Sequence, residues 1–256
     1  MSSIYPDENG QGLHFDEIPS TALRCTISYN KYGGYCVPMS SRHRPAAVKI
    51  LANEVYEPGT LEFMRSNCGD GDVVHAGTYF GDFLPALSSA CGPSAKVWAF
   101  EPNPENFLCA EITVLLNGIR NVELANAGLG KRKEMLLVKT CDATGRSLGG
   151  ASHIVNSGGL STSSVGVEPV EMLSIDCAVE PGRNVSIIQL DVEGHEQEAL
   201  CGALATINRC LPILMLEVWP NSNLLESDWF AHNISSLGYR ISGKIHGNSV
   251  FRCDKE

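Results

Sequence analysis

From Asp72 onward, short runs of apolar and β-branched residues alternate with longer stretches whose apolar positions recur every three or four residues. The runs "DVVHAG", "KVWAFEP", "VELANAGLG", "VSIIQLDVEG" and "PILMLEVWP" read as buried strands. Between and after them, "DFLPALSSACG", "PENFLCAEITVLLNG", "HEQEALCGALATINRC" and "SDWFAHNISSLG" read as helices. Gly92–Pro93 ends the first helix, and Pro104 and Gly118 frame the second. "YRISGKI" and "NSVFRCD", joined around His246–Asn248, read as a closing antiparallel hairpin, and "EMLLVKT" and "VEMLSIDCAV" flank a polar Gly/Ser stretch, Asp142–Ser164.

The first seventy residues lack this rhythm. "YNKYGGYCVP" carries Gly33–Gly34 and Pro38 as breakers, and the polar "MSSRHRP" follows. Residues 46–67 offer two short helical patterns split at Pro58–Gly59. We read residues 1–66 as a cap or arm and residues 67–256 as one domain. Strands alternating with helices predict an α/β, doubly wound, mostly parallel sheet covered on both faces. Ligands of such sheets sit beyond the carboxyl ends of the strands. The residues to examine there are His75, Glu101, Asn126, Asp191 and Glu217.

Composition narrows the partners. The 256 residues are 43% hydrophobic and 19% charged, enough apolar material for a sizeable core without a metal or disulfide staple. The net charge is −10, and no basic run exceeds "KRK" at Lys131–Lys133, so a nucleic-acid partner is not expected. Ten cysteines lie scattered without a CxxC pair, which argues against structural zinc and for a reducing, cytoplasmic setting. The polar, acidic start "MSSIYPDENGQG" is unlike a signal peptide, and no apolar run reaches membrane-spanning length. The expected partner is a small molecule; self-association into a homo-oligomer is left open.

The turn "GTYFG" after the first core strand lets a ligand approach the backbone, but it lacks the GxGxxG spacing of a dinucleotide site. Glu101 ends the second strand 24 residues after Gly77, where a carboxylate can accept both hydroxyls of a ribose. That contact is common to NAD and S-adenosylmethionine. A nicotinamide-dependent oxidoreductase and a non-catalytic cofactor-binding module therefore stand as the rival readings.

"VVHAGTYFGDF", "AFEPNPENF", "NVELANAGLG" and above all "IIQLDVEGHEQEALCGA" resemble the blocks of the FkbM-type methyltransferase family, collinearly over residues 72–218. The resemblance implies a class I, Rossmann-like methyltransferase with strand order 3-2-1-4-5-7-6. It implies transfer of a methyl group from S-adenosylmethionine to a hydroxyl of a sugar or natural product. On this pattern Gly77, Thr78, Tyr79 and Gly81 wrap the methionine part of the cofactor. Glu101 takes the ribose hydroxyls with Asn103 nearby, and Asn126 and Ala127 border the adenine. His75 departs from the pattern, which implies aspartate there. A neutral imidazole still accepts one hydrogen bond, whereas a protonated one repels the cofactor's ammonium. Cofactor affinity is thus expected to fall as pH drops through about 6.5. Asp82 or Asp191 could supply the missing negative charge.

Methyl transfer to oxygen needs an aligned hydroxyl and a group to take its proton. Asp191 ends the fourth strand, Gly194 permits a tight turn, and His195 opens the next helix, where a neutral imidazole could act as base. Glu193 could orient the acceptor or cap that helix. Asp191 and Glu217, if on adjacent strands, could together hold Mg²⁺, although no metal is the favoured reading. Arg146, Ser147, Ser152 and His153 in the polar stretch, and Tyr32, Tyr35, His43 and Arg44 in the arm, are the candidate acceptor walls.

Overall fold

The computed structural model describes residues 22–155 and 164–254. The N-terminal stretch "MSSIYPDENGQG" and residues 156–163 of the polar stretch lie outside the described residues. The elements are β1 (Cys25–Asn30), β2 (Gly33–Pro38), α1 (Pro45–Leu51), α2 (Pro58–Asn67), β3 (Asp72–Ala76), α3 (Leu84–Ala90), β4 (Val97–Phe100) and α4 (Pro104–Leu116). There follow β5 (Val122–Ala125), β6 (Gly128–Leu129), β7 (Glu134–Lys139), β8 (His153–Val155), β9 (Val167–Leu173), α5 (Ile175–Ala178) and β10 (Val185–Leu190). The chain ends with α6 (Glu196–Cys201), α7 (Leu204–Cys210), β11 (Ile213–Glu217), α8 (Asp228–Asn233), β12 (Tyr239–Ile245) and β13 (Asn248–Cys253).

Seven strands form the central sheet in the order β12-β13-β11-β10-β3-β4-β5. Counted along the chain from the β5 edge, this is 3-2-1-4-5-7-6. The five strands from β11 to β5 are parallel, and β13 and β12 join antiparallel at the other edge, so the sheet is mixed. Successive residues of β3 face opposite sides, as the pleat requires. Val74 and Ala76 join Ile188, Leu190, Leu200, Ile207 and Phe230 on one face. Val73 joins Leu61, Met64, Leu84, Leu87, Ile187 and Met215 on the other. Helices therefore cover both faces, and the apolar core runs the full width of the sheet.

Three expectations are corrected. The arm is not irregular: β1 and β2 pair as a hairpin with Asn30 opposite Gly33. Its glycines are points of close approach, because Gly34 N donates to Asn117 Oδ1 (2.9 Å) and Asn117 Nδ2 donates back to Gly34 O (2.7 Å), docking the hairpin on the end of α4. "VELANAGLG" is two strands, β5 in the central sheet and β6 in a four-stranded sheet ordered β6-β9-β7-β8. The helix after β10 breaks into α6 and α7 at Gly202, where a Cβ would stand 2.1 Å from Gly130 O. Helical periodicity continues through that glycine, and only the packing of the neighbouring backbone reveals the break.

Candidate active site

At the carboxyl ends of β3 and β10 two strands are pressed together. Gly77 adopts φ +82°, and a Cβ on it would lie 2.0 Å from Asp191 O. Tyr79 (φ +53°) and Gly81 (φ +80°) continue a turn with three left-handed residues in five. Glu101, buried at 3% exposure, holds this turn: its Oε2 accepts from Tyr79 N (2.7 Å) and its Oε1 from Asn103 N (2.9 Å) and Asn106 Nδ2 (3.2 Å). Burial outweighs those three donors and pushes its carboxyl up to about 7. Asn103 caps α4 by accepting from Glu105 N, and its Nδ2 reaches Ser152 Oγ (3.0 Å).

Two chambers meet over this turn, with Gly77, Gly150 and Asp191 lining both. The narrow one, about 20 Å³, is walled by Phe100, Ala127, Leu129, Ile154 and Met172, with Glu101 its buried acid. The wide one, about 240 Å³, is lined by Arg44, Tyr56, His75 and five carboxylates: Glu57, Asp82, Asp191, Glu193 and Glu217. Apolar walls beside a carboxylate match the faces and hydroxyls of a nucleoside, for which a slot of about 20 Å³ must widen, and an acidic chamber beside it suits a positively charged group.

His75 is 4% exposed, stacked on Phe83 with ring centroids 5.5 Å apart, and its Nδ1 lies 2.5 Å from Gln189 Oε1. The amide oxygen can only accept, so Nδ1 carries the proton and Nε2 is left as an acceptor. That Nε2 has no partner among the described residues. Burial drives the imidazole down to about 4, opposed in part by the Gln189 bond. The assignment to His75 of a loss of affinity through about 6.5 is therefore corrected: the imidazole is neutral throughout that range.

The acids feel one another. Burial, then Glu217 and Glu193, hold Asp191 well above the ordinary aspartate value. Burial and Glu57 push Asp82 up to about 7. Burial, then Glu57 and Glu193, also raise Glu217. β10 and β11 are neighbours, as the metal idea required. Among the described residues, however, no group of three or more His, Cys, Asp or Glu is arranged to hold a metal ion.

The sequence candidates separate into places. His75, Gly77, Tyr79, Asp82, Asp191, Glu193 and Glu217 line the wide chamber. Glu101, Ala127, Ser152, His153 and His195 line the narrow one. His195 is thus across Asp191 from the acidic chamber, with burial lowering its pKa, and it is not grouped with Glu193. Asn126 holds the Glu101 strand end through Nδ2 to Glu101 O (2.8 Å), Thr78 Oγ1 donates to His75 O, and Gly81 packs on Ala110 and Thr113. Five acceptor candidates lie elsewhere, and one of them, Tyr35, is fully buried in a cluster with Ala47, Ile50 and Phe80. Arg146 and Ser147 border a separate groove with Glu168, Tyr32 stacks beneath Arg65, and His43 is in neither chamber.

Sequence reasoning missed Gln189, Phe83, Tyr56, Glu57, Trp219 and Asn248. Gln189 carried a signal, a lone amide inside the apolar strand "SIIQLDV". Trp219 follows a strand end and donates from Nε1 to Glu193 Oε2 (2.8 Å), while its ring meets that of His153 edge-on at 6.2 Å. Glu57 and Asn248 come from opposite ends of the chain, and no local pattern marks them.

A mixed, doubly wound α/β sheet with paired chambers at its carboxyl edge defines the class of protein. The chain belongs to the FkbM methyltransferase family: the model described as the methyltransferase FkbM domain matches residues 75–241. Among solved structures, the methyltransferase FkbM of Methylobacillus flagellatus KT is 16% identical, with TM-score 0.49, over 72% of this chain and 44% of that one. The chain therefore spans less than half the length of that relative. A SAM-dependent methyltransferase from Aquifex aeolicus is 17% identical with TM-score 0.42, over 82% of this chain and 92% of that one. The T. thermophilus 16S rRNA N2 G1207 methyltransferase is 13% identical with TM-score 0.48, over 93% of this chain and 52% of that one. No curated protein matches the chain.

Proposed function

We propose that the protein is an S-adenosylmethionine-dependent O-methyltransferase acting on a hydroxyl of a small sugar-like or natural-product acceptor. The observation that carries this reading is the junction at Gly77, where an apolar slot edged by Glu101 and Asp191 opens into an acidic chamber. The residues fit the cofactor. Glu101 has lone pairs left for ribose hydroxyls after its three N–H donors. Ala127, Leu129 and Met172 offer apolar surface to an adenine. The orphaned Nε2 of His75 accepts from an ammonium, and Arg44 takes a carboxylate.

When bound, the cofactor supplies an electrophilic methyl on a sulfonium. The chain's own work is to align the acceptor and receive its proton. Asp191, at the junction of the chambers, is the base we assign; a carboxyl raised above its ordinary value binds a hydroxyl proton better than an ordinary one. With the donor supplying the methyl group and its sulfur leaving as the thioether, Asp191 would receive the proton that the acceptor hydroxyl gives up. Glu193, held by Trp219, orients the acceptor. His195, walled into the slot, borders the nucleoside and is not the base in this reading. The acidic chamber and the net charge of −10 speak against a nucleic-acid acceptor.

Calorimetric titration with S-adenosylmethionine, S-adenosylhomocysteine and NAD tests the donor. Heat from the first two and none from NAD is the expected result; heat from NAD alone would replace the reading with an oxidoreductase. Mass spectrometry of hydroxylated acceptors incubated with enzyme and donor tests the transfer.

A further inference from the structure

The end of the wide chamber away from the turn is built by elements that the cofactor reading leaves unused. Glu217 ends β11 and pairs across the sheet with Asn248, the first residue of β13. Asn248 is 1% exposed, lines the chamber, and its Oδ1 has no partner among the described residues. The Glu217 carboxylate lies against Gly247, where a Cβ would meet Oε1 at 2.5 Å, so the hairpin turn packs directly on the carboxylate. Glu57 enters at the start of α2, beside the hairpin turn, accepting from Thr60 Oγ1 (2.9 Å). Three acceptors from three distant parts of the chain thus line one cavity, and Arg44 is the one described lining side chain with a fixed positive charge.

Resting on the methyltransferase reading above, we infer that Glu57, Glu217 and Asn248 form a subsite for a protonated amine, so that the acceptor is an amino sugar, aminocyclitol or similar polyol amine. An ammonium has three N–H donors and no acceptor, which matches two carboxylates and one amide oxygen. A neutral polyol would leave two half-buried carboxylates together, with Glu57 raising the pKa of Glu217, where like charges repel. An ammonium relieves that repulsion and satisfies the orphaned Oδ1 together. The cofactor does not meet this need: its ammonium is accounted for by His75 Nε2, at the opposite side of the chamber's lining on β3. His246 does not meet it either, because its Nδ1 is 3.9 Å from Glu57 Oε2, is shared with the Thr60 hydroxyl, and the side chain faces solvent at 41% exposure.

The test is calorimetric titration of the whole protein, saturated with S-adenosylhomocysteine, by matched pairs: D-glucosamine against D-glucose, and 2-deoxystreptamine against myo-inositol. The amine member of each pair should bind about tenfold tighter or more. Glu217→Gln, nearly isosteric, should abolish the preference while leaving S-adenosylhomocysteine affinity unchanged. Glu57→Gln is a second, independent variant and should reduce it. Asn248→Asp should increase it. Equal binding of both members, or a preference that survives Glu217→Gln and Glu57→Gln, would overturn the subsite while leaving the methyltransferase reading intact. So would saturable Mg²⁺ binding that abolishes the preference, since the acids would then belong to a metal. Failure of S-adenosylhomocysteine itself to bind would be the failure of the underlying reading.

Discussion

His75 and Gln189 are register partners on β3 and β10, and the imidazole Nδ1 stands 2.5 Å from the amide Oε1. The glutamine fixes which ring nitrogen carries the proton, and so aims an acceptor, not a donor, into the wide chamber. Aspartate would do this with a charge; the imidazole does it by tautomer. With burial holding the pKa near 4, His75 should stay neutral from pH 5.5 to 8. Nitrogen NMR of the imidazole should show one Nδ1–H tautomer and no titration across that range. Gln189→Leu frees the ring to populate both tautomers, and S-adenosylmethionine affinity should fall about fivefold to tenfold. A titration midpoint near 6.5 in the native protein would remove the tautomer argument.

The sequence carried the fold well where periodicity speaks. Each strand ending at the site was legible from its apolar run, and the order of the central sheet followed from the resemblance. It failed where long-range backbone contact decides. Gly202 looks like any helical glycine until Gly130 O is found against it. Gly33 and Gly34 look like breakers until Asn117 is found bridging Gly34. The site divides in the same way. Residues at strand ends, such as Glu101 and Asp191, are found by position along one element. Glu57 and Asn248 reach the chamber only because α2 and the final hairpin both pack beside β11, and that juxtaposition is written in no short stretch.

Gly77 is where tolerance should be least. Its φ of +82° is strained for any side chain, and a Cβ would sit 2.0 Å from Asp191 O, a backbone atom that cannot rotate away. Gly77→Ala should cost about 2–4 kcal/mol of stability and abolish cofactor binding, because β3 and β10 must separate. Gly182, also at positive φ (+87°) but with open space about its Cβ, is the control. Gly182→Ala should cost only about 1–2 kcal/mol, the backbone strain alone. Thermal unfolding of the two variants reads the difference.

Away from the site, Asp72 anchors the amino end of β3. Arg183 forks onto it through Nε (2.5 Å) and Nη2 (2.7 Å), while Trp98 Nε1 (2.7 Å) and Lys96 N (2.9 Å) complete its partners. Burial acts to raise this carboxyl, but those donors outweigh it and hold its pKa below the ordinary value. A depressed folded-state pKa means stability that is present above the unfolded value, about 3.9, and lost as pH falls through the folded one. Arg183→Ala leaves the acid buried at 2% exposure without its cation and should cost about 2 kcal/mol at neutral pH. The difference from the native protein should shrink below about pH 4, where the carboxyl takes up its proton. Denaturant melts at pH 7 and pH 3 test this; an equal loss at both would assign the cost to packing.

Glu101 combines structure and binding in one carboxylate. Its bonds to Tyr79 N and Asn103 N hold the glycine turn against the start of α4, and its remaining lone pairs face the slot. Burial raises its pKa to about 7, so acidification through neutrality puts a proton where ribose hydroxyls would donate. S-adenosylmethionine affinity should therefore weaken as pH falls through about 7, on account of this acid and not of His75. Glu101→Gln keeps the shape but loses an acceptor and the charge, and should weaken binding about tenfold to a hundredfold. Its affinity should lose the part of the pH profile that Glu101 imposes, while His75→Asn, weaker overall, should keep it. Calorimetry from pH 5.5 to 8 on the three proteins separates the cases: a profile that vanishes with His75 and survives without Glu101 would transfer the titration to the histidine.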